Sequence, residues 1–262
     1  MANVDFAVIT GVSGGLGKAL ALKLLNEGVK VLGISRTNPE IKNKNFYWQS
    51  IDFNFYYMFG DGFFHIVEKL LKKNKIKKVG VALCAGMLGN SEDFAHAKLS
   101  EWEQVFRVNV LGNLQVLKVV MPYLLEKQFG RIVFLSGGGA ANAFPKFSAY
   151  SLSKTAIVRE VENLGMELEN KGDFSIIALA PGAMETDMLK KVRESGVQPK
   201  NVVSIDEPAT FIYNFFNSPN TCLNGRFIHV RDEAVVKYLF DDKRKGLDIL
   251  DREKWLLRRI EK

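Results

Sequence analysis

Phe6-Ala7-Val8-Ile9-Thr10-Gly11-Val12-Ser13-Gly14-Gly15-Leu16-Gly17 is the stretch that decides the fold class. A short apolar run ends in glycines, and beyond it Leu16, Ala19, Leu20, Leu24 and Leu25 recur at helical spacing. The segment therefore reads as a strand, a tight loop and a helix. Glycines at that junction let the backbone approach a pyrophosphate closely. The start of the helix adds unpaired N–H groups and a favourable dipole. A merely flexible glycine-rich turn would have the same composition, and the position directly after the first strand is what favours dinucleotide binding.

Outward from this unit the same alternation continues. Apolar runs at 31–34, 46–51, 79–84, 132–135, 174–180 and 226–230 read as strands, with helical patterns between most of them. Long amphipathic stretches cover 101–127 and 148–170, and Pro181-Gly182 breaks the chain after the sixth strand. Strands alternating with helices imply parallel pairing through right-handed crossovers. The expected fold is α/β, a doubly wound parallel sheet with helices on both faces, forming a single domain over 1–262. Residues 183–205 carry Gly196 and Pro199 with little clean periodicity, so an irregular excursion with one short helix is expected there, of the kind that forms lids. The charged tail over 232–262 reads as partly helical.

Composition narrows the function classes. The chain has 262 residues, 47% of them hydrophobic, enough for a sizeable core. The two cysteines, Cys84 and Cys222, form no paired or metal-ligand spacing, which fits a reducing compartment. No apolar run approaches the roughly 18 residues of a membrane span, and the N-terminus lacks a signal pattern, so a cytoplasmic protein with no membrane partner is expected. The net charge of +7 is spread thinly and lacks an RNA-binding signature. It suits anionic small ligands or an acidic carrier better than nucleic acid. His65, His96 and His229 lie far apart without ligand spacing, so no metal site is expected.

Two further features point to chemistry. A carboxylate at the end of the second strand would bind the ribose 2′-hydroxyl of NAD(H) and repel the 2′-phosphate of NADP(H). Ser35-Arg36 stands there instead, and Arg36 offers a permanent charge and a fork of donors, so NADP(H) is expected to be preferred over NAD(H). Tyr150 and Lys154 are four residues apart at the start of a helical stretch and share one face. A phenol has an ordinary pKa of about 10, and a neighbouring ammonium would stabilise its ionised form.

Taken together, the T-G-x-x-x-G-x-G over residues 10–17 and Tyr150-Ser151-Leu152-Ser153-Lys154 resemble the short-chain dehydrogenase/reductase family, and the likeness covers nearly the whole chain. The resemblance implies a cofactor site of Gly11, Ser13, Gly14, Gly15, Leu16 and Gly17, with Arg36 beyond them. Asp52 and Phe53 match the family's adenine contact, and Ala85-Gly86 match the end of its N-N-A-G motif, although Leu83 and Cys84 replace both asparagines. Pro181, Gly182 and Thr186 match P-G-x-x-x-T, which implies that Thr186 contacts the nicotinamide carboxamide. Tyr150 would be the general acid or base. Lys154 would bind the nicotinamide ribose and lower the phenol pKa, and Asn109 would hold a water in the proton relay. The likeness also implies a homodimer or homotetramer, paired through helices around 101–127 and 150–170.

One departure stands out. The family's substrate-polarising serine lies thirteen residues before the tyrosine, where this chain has Gly137. Either Ser136 swings in as the replacement catalytic hydroxyl, or the backbone N–H groups of residues 137–139 polarise the carbonyl. A third reading is a catalytically weak NADP-binding module. Retention of Asn109, Tyr150 and Lys154 together favours an enzyme that interconverts a small-molecule ketone and a secondary alcohol. A weak likeness of the Ser-Gly-Gly-Gly-Ala run and of residues 256–260 to surface-polysaccharide enzymes suggests a keto-sugar or sugar nucleotide as substrate. The alternative is a 3-oxoacyl carrier protein reductase, which residues 181–188 resemble.

Overall fold

The computed structural model describes residues 4–58, 60–73, 75–199, 201–218, 223–232 and 235. The charged tail expected over 232–262 and Cys222 lie almost wholly outside the described residues. Strands β1 (Phe6–Thr10), β2 (Lys30–Ser35), β3 (Phe46–Ser50), β4 (Val79–Leu83), β5 (Phe129–Leu135), β6 (Asp173–Ala180) and β9 (Arg226–His229) form one sheet. Their order is β3-β2-β1-β4-β5-β6-β9, and every pairing is parallel. The chain runs outward from β1 to β3 in one direction and from β4 onward in the other. The strand order thus reverses between β1 and β4, where the C-terminal strand ends open a crevice for ligands.

Parallel strands buried on both faces must be apolar at successive positions, which explains the unbroken apolar runs in the sequence. In β1, Phe6 and Val8 enter one core, while Ala7 and Ile9 enter the other. The first core is closed by α2 (Gly60–Lys73), α4 (Asn113–Lys127) and α6 (Ser148–Glu167), through Val67 and Leu71, Val116 and Val120, and Ile157 and Val161 respectively. The second is closed by α1 (Gly15–Asn26) and α8 (Asp206–Asn217), through Leu20 and Leu24 against Phe211, Phe215 and Phe216. This is the doubly wound α/β fold that the alternation of elements implies.

Three local features depart from the sequence pattern. The stretch read as one amphipathic helix over 101–127 begins at Leu99 and contains a wide π turn, Arg107–Gly112, between α3 (Leu99–Phe106) and α4. By length and composition the run Leu99–Lys127 could cross a membrane, but Val105, Val116, Val120 and Leu124 are buried in the domain, as in a core helix. The second departure is that β5 starts at Phe129, earlier than its apolar run suggests. Its buried Arg131 is satisfied by Asp173 and by the Ser218 carbonyl. Finally, the excursion over 183–205 is more ordered than its periodicity indicates. Two-residue strands β7 (Ala183–Met184) and β8 (Val202–Val203) pair across it, with α7 (Asp187–Glu194) between them.

Candidate active site

The glycine loop is shaped by backbone contacts that leave no room for a side chain at Gly11 or Gly17. Gly11 has φ +73°, its N–H donates to the Ile34 carbonyl at 2.7 Å, and a Cβ there would stand 2.9 Å from the Ala85 nitrogen. A Cβ on Gly17 would stand 2.4 Å from the Gly11 carbonyl oxygen, so this glycine lets α1 start directly against the loop. Ser13, Gly14 and Gly15 are exposed, and Gly14 precedes α1 in extended conformation without a side-chain cap. The first N–H groups of α1 are thereby left for a ligand. Leu16 belongs to the core, so only its main chain can serve this site.

A cleft of about 260 Å³ runs along the strand ends. Of the sequence-predicted residues, Gly11, Ser13, Arg36, Asp52, Phe53, Ala85 and Gly86 line it. Arg36 is exposed, and the Asp52 carboxylate accepts from the Asn54 N–H at 2.9 Å. Gln104, Val108 and Lys191 also line the cleft and were not anticipated, because they come from α3, the wide turn and α7, far from any motif. Pro181 is buried and Gly182 has φ +79°. Thr186 caps α7 by accepting from the Leu189 N–H, and its methyl would lie 3.6 Å from a Cβ on Gly15. The PG turn and the glycine loop therefore meet.

The reaction-centre candidates converge at the start of α6. Lys154 Nζ lies 5.5 Å from the Tyr150 ring centroid and donates to the Leu135 carbonyl at 2.8 Å. Asn109 is fully buried, donating to the Ser153 hydroxyl at 2.9 Å and to the Met87 carbonyl at 3.0 Å, while accepting from the Met87 N–H at 2.7 Å. The Ser153 hydroxyl in turn donates to the Tyr150 carbonyl at 2.7 Å. Asn109 thus fastens the segment after β4 to the helix that carries Tyr150. A Cβ on Gly86 would lie 3.5 Å from Lys154 Nζ, which brings the ammonium to the floor of the cleft.

Burial sets the protonation of these groups. It pushes the Tyr150 phenol up to about 12 and the Lys154 ammonium down to about 8. The Cys84 thiol is likewise pushed up to about 12 by burial, against the pull of Lys154. The expectation that Lys154 lowers the phenol is therefore corrected for the free chain, where burial moves Tyr150 the other way.

The expectation for Ser136 is corrected as well. Its hydroxyl is buried and donates to the Lys154 carbonyl at 3.1 Å, while its N–H donates to the Leu179 carbonyl. The position that faces the phenol is Gly137, where a Cβ would stand 3.0 Å from the Tyr150 oxygen. Strand alternation sends adjacent side chains to opposite faces, and the chain has not turned enough by Ser136 to change that.

A second, smaller cavity of about 20 Å³ adjoins Tyr150, with Asn90, Glu92, Glu101, Trp102 and Phe147 in its wall. Glu92 Oε2 is buried there with no hydrogen-bond partner among the described residues, whereas Glu101 accepts from Asn90 at 2.8 Å. Met188, Val192 and Val197 of the excursion pack with Phe147 and Tyr150, so this segment forms one side of the Tyr150 environment. Among the described residues no cluster of His, Cys, Asp or Glu could hold a metal ion.

A parallel sheet reversing at a glycine loop, with a tyrosine and lysine one helical turn apart beside it, defines a dinucleotide-dependent oxidoreductase architecture. Residues 5–196 match the family model for short chain dehydrogenases, and the chain belongs to the short-chain dehydrogenase/reductase family. It is similar to an uncharacterized oxidoreductase of Schizosaccharomyces pombe, with 35% identity over 87% of this chain and 86% of the relative. It also resembles the 3-oxoacyl-[acyl-carrier-protein] reductase of Buchnera aphidicola, with 26% identity over 87% of this chain and 96% of that protein. In fold it is similar to ElxO with NADP bound, at TM-score 0.74 and 21% identity over 87% of this chain and 97% of that one. The protein is thus an oxidoreductase of a family that uses nicotinamide cofactors and acts on small molecules.

Proposed function

We propose that this protein is an NADP(H)-dependent reductase that interconverts a ketone and a secondary alcohol, with Tyr150 as the proton donor in reduction. The observation that carries this reading is the Tyr150 phenol beside Lys154, whose ammonium lies against the Gly86 floor of a cleft whose Gly11 and Gly17 admit no side chain. The cleft residues fit a dinucleotide: a Cβ at Gly11 or Gly17 would fill the cradle, and the first turn of α1 supplies open donors for a pyrophosphate. Asp52 and Phe53 take the adenine end, and Ala85 and Gly86 form the floor. Thr186, with Pro181 and Gly182 shaping its turn, reaches the nicotinamide end. A bound nicotinamide supplies the hydride.

Arg36 lines the cleft, exposed and without a carboxylate partner among the described residues, which suits a 2′-phosphate and supports a preference for NADP(H) over NAD(H). Tyr150 donates its proton to the substrate oxygen as charge develops there. Lys154 would hold the cofactor ribose. Asn109 keeps the segment after β4 and the Tyr150 backbone in register. With Gly137 in place of a hydroxyl, Tyr150 is the side-chain donor that faces that position.

For the substrate, the Glu92 oxygen beside Tyr150, which has no partner among the described residues, favours a compound with hydroxyl donors, such as a keto-sugar or sugar nucleotide. A 3-oxoacyl carrier protein reductase is the second reading, favoured by the Buchnera relative and by the net charge of +7. We place the enzyme in the cytoplasm. We assign it as a homodimer or homotetramer paired through α4 and α6, whose exposed Leu125, Leu152 and Met166 suit burial between subunits. The test is a titration with NADPH and NADH, followed by keto-sugars, oxoacyl thioesters and diketones while reduced nicotinamide absorbance is recorded. Tight NADPH binding with turnover of one substrate class is expected. Failure to bind either cofactor would overturn the reading.

A further inference from the structure

Strand β4 ends at Leu83, and neither it nor Cys84 offers a carboxamide to fix the cofactor floor, yet the N–H and carbonyl of Ala85 in that floor are both bonded to side chains. The carboxamide comes from the neighbouring helix. Asn113, the first residue of α4, is 1% exposed, and all of its side-chain bonds point back toward the cleft. Its Nδ2 donates to the Ala85 carbonyl at 3.0 Å and to the Asn109 and Val108 carbonyls at 3.1 and 3.2 Å. Its Oδ1 accepts from the Thr10 hydroxyl at 2.7 Å, and that hydroxyl accepts from the Ala85 N–H at 2.9 Å. Thr10, Ala85 and Asn113 thus form a closed triangle. It joins the residue before the glycine loop, the floor of the cleft and the carbonyl of Asn109.

The same side chain accounts for the wide turn over Arg107–Gly112. A carboxamide that folds back onto the carbonyls four and five residues earlier competes with the helix ladder and opens it locally. The opened turn carries Asn109 on one side. On the other it brings Gly112 so close to Phe53 that a Cβ there would stand 2.3 Å from the Phe53 ring. Both ends of the cleft are therefore referenced to one buried amide.

We infer that Asn113 is a positioning residue for the cofactor cleft: from α4 it supplies the carboxamide that β4 lacks, and it sets Ala85, Thr10 and Asn109 in their working geometry. This inference rests on the dinucleotide reading above. The experiment compares the affinity of the purified wild type, Asn113→Leu and Thr10→Val for NADPH by fluorescence titration, well below the melting temperature of each. Four polar partners lose their bonds in Asn113→Leu, so its dissociation constant should rise roughly tenfold or more. Thr10→Val should act in the same direction, and the double variant should be little worse than the worse single one, because the two residues share one network. A role confined to stability would lower the melting temperature and leave the affinity of the folded protein unchanged. A folded Asn113→Leu binding NADPH within about twofold of wild type would overturn the inference. If that variant does not fold, a folded Thr10→Val binding within the same range would do so. Failure of the wild type to bind NADPH or NADH would instead overturn the dinucleotide reading on which this rests.

Discussion

Replacing Lys154 by methionine should remove a buried charge that the folded chain carries at a loss of stability. Burial lowers the ammonium from its ordinary 10.5 to about 8. Between those values the unfolded chain binds a proton that the folded chain does not, so stability rises with pH across this window. The penalty is full below about pH 8 and gone above about pH 10.5. At roughly 1.4 kcal/mol per tenfold in proton affinity it amounts to about 3 kcal/mol at neutral pH, of which about 2 kcal/mol is recovered by about pH 9.5. Methionine also forfeits the bond to the Leu135 carbonyl, a loss of about 1–3 kcal/mol, so the absolute gain is smaller than the pH-dependent difference. Tyr150 and Cys84, pushed up to about 12, bind an extra proton in the folded state and lose stability as pH rises above their ordinary values of 10.0 and 9.0. Both are present in the two proteins, and to first order they cancel in the comparison. Urea unfolding at about pH 7 and about pH 9.5 should show the wild type gaining about 2 kcal/mol relative to Lys154→Met. Parallel profiles for the two proteins would refute the claim that this lysine is desolvated in the fold.

Arg36→Glu should reverse cofactor choice, weakening NADPH roughly 10- to 100-fold while NADH changes far less, as measured by the two dissociation constants. Gly17→Ala forces a Cβ against the Gly11 carbonyl oxygen, which should cost about 1–3 kcal/mol in urea unfolding and weaken NADPH binding in the remaining folded protein. Glu92→Gln should raise KM for a hydroxylated substrate several-fold and leave the NADPH dissociation constant unchanged; an unchanged KM would remove Glu92 from substrate recognition.

Much of the fold was legible because buried parallel strands declare themselves as apolar runs, and because the glycine loop sits at the first strand–helix junction. Where a buried polar group interrupts a run, the signal fails: Arg131 hid the start of β5, since its partners Asp173 and Ser218 are remote in sequence. The excursion over 183–205 pairs residues 183–184 with 202–203, and so short a strand leaves no period to read. The wide turn inside 99–127 left no trace either, because the apolar spacing runs through it unbroken and the Asn113 bonds to the Val108 and Asn109 carbonyls beside it leave no mark in a hydrophobic pattern. In the site, the motif residues were visible as spacings, and the structure brings Asn109, Tyr150 and Lys154 together. The direction of Ser136 depended on where a strand stops and turns, which no local pattern states. Gln104 and Lys191 reach the cleft only through tertiary packing.

The central claim, that the Tyr150 phenol is the proton donor for carbonyl reduction, is tested most directly by Tyr150→Phe. Wild type and variant are compared for NADPH affinity and for turnover of a ketone that the wild type reduces. The account predicts NADPH binding within about twofold of wild type and a loss of turnover on the order of 10²–10⁴-fold. Comparable turnover in a variant that binds NADPH normally would contradict it.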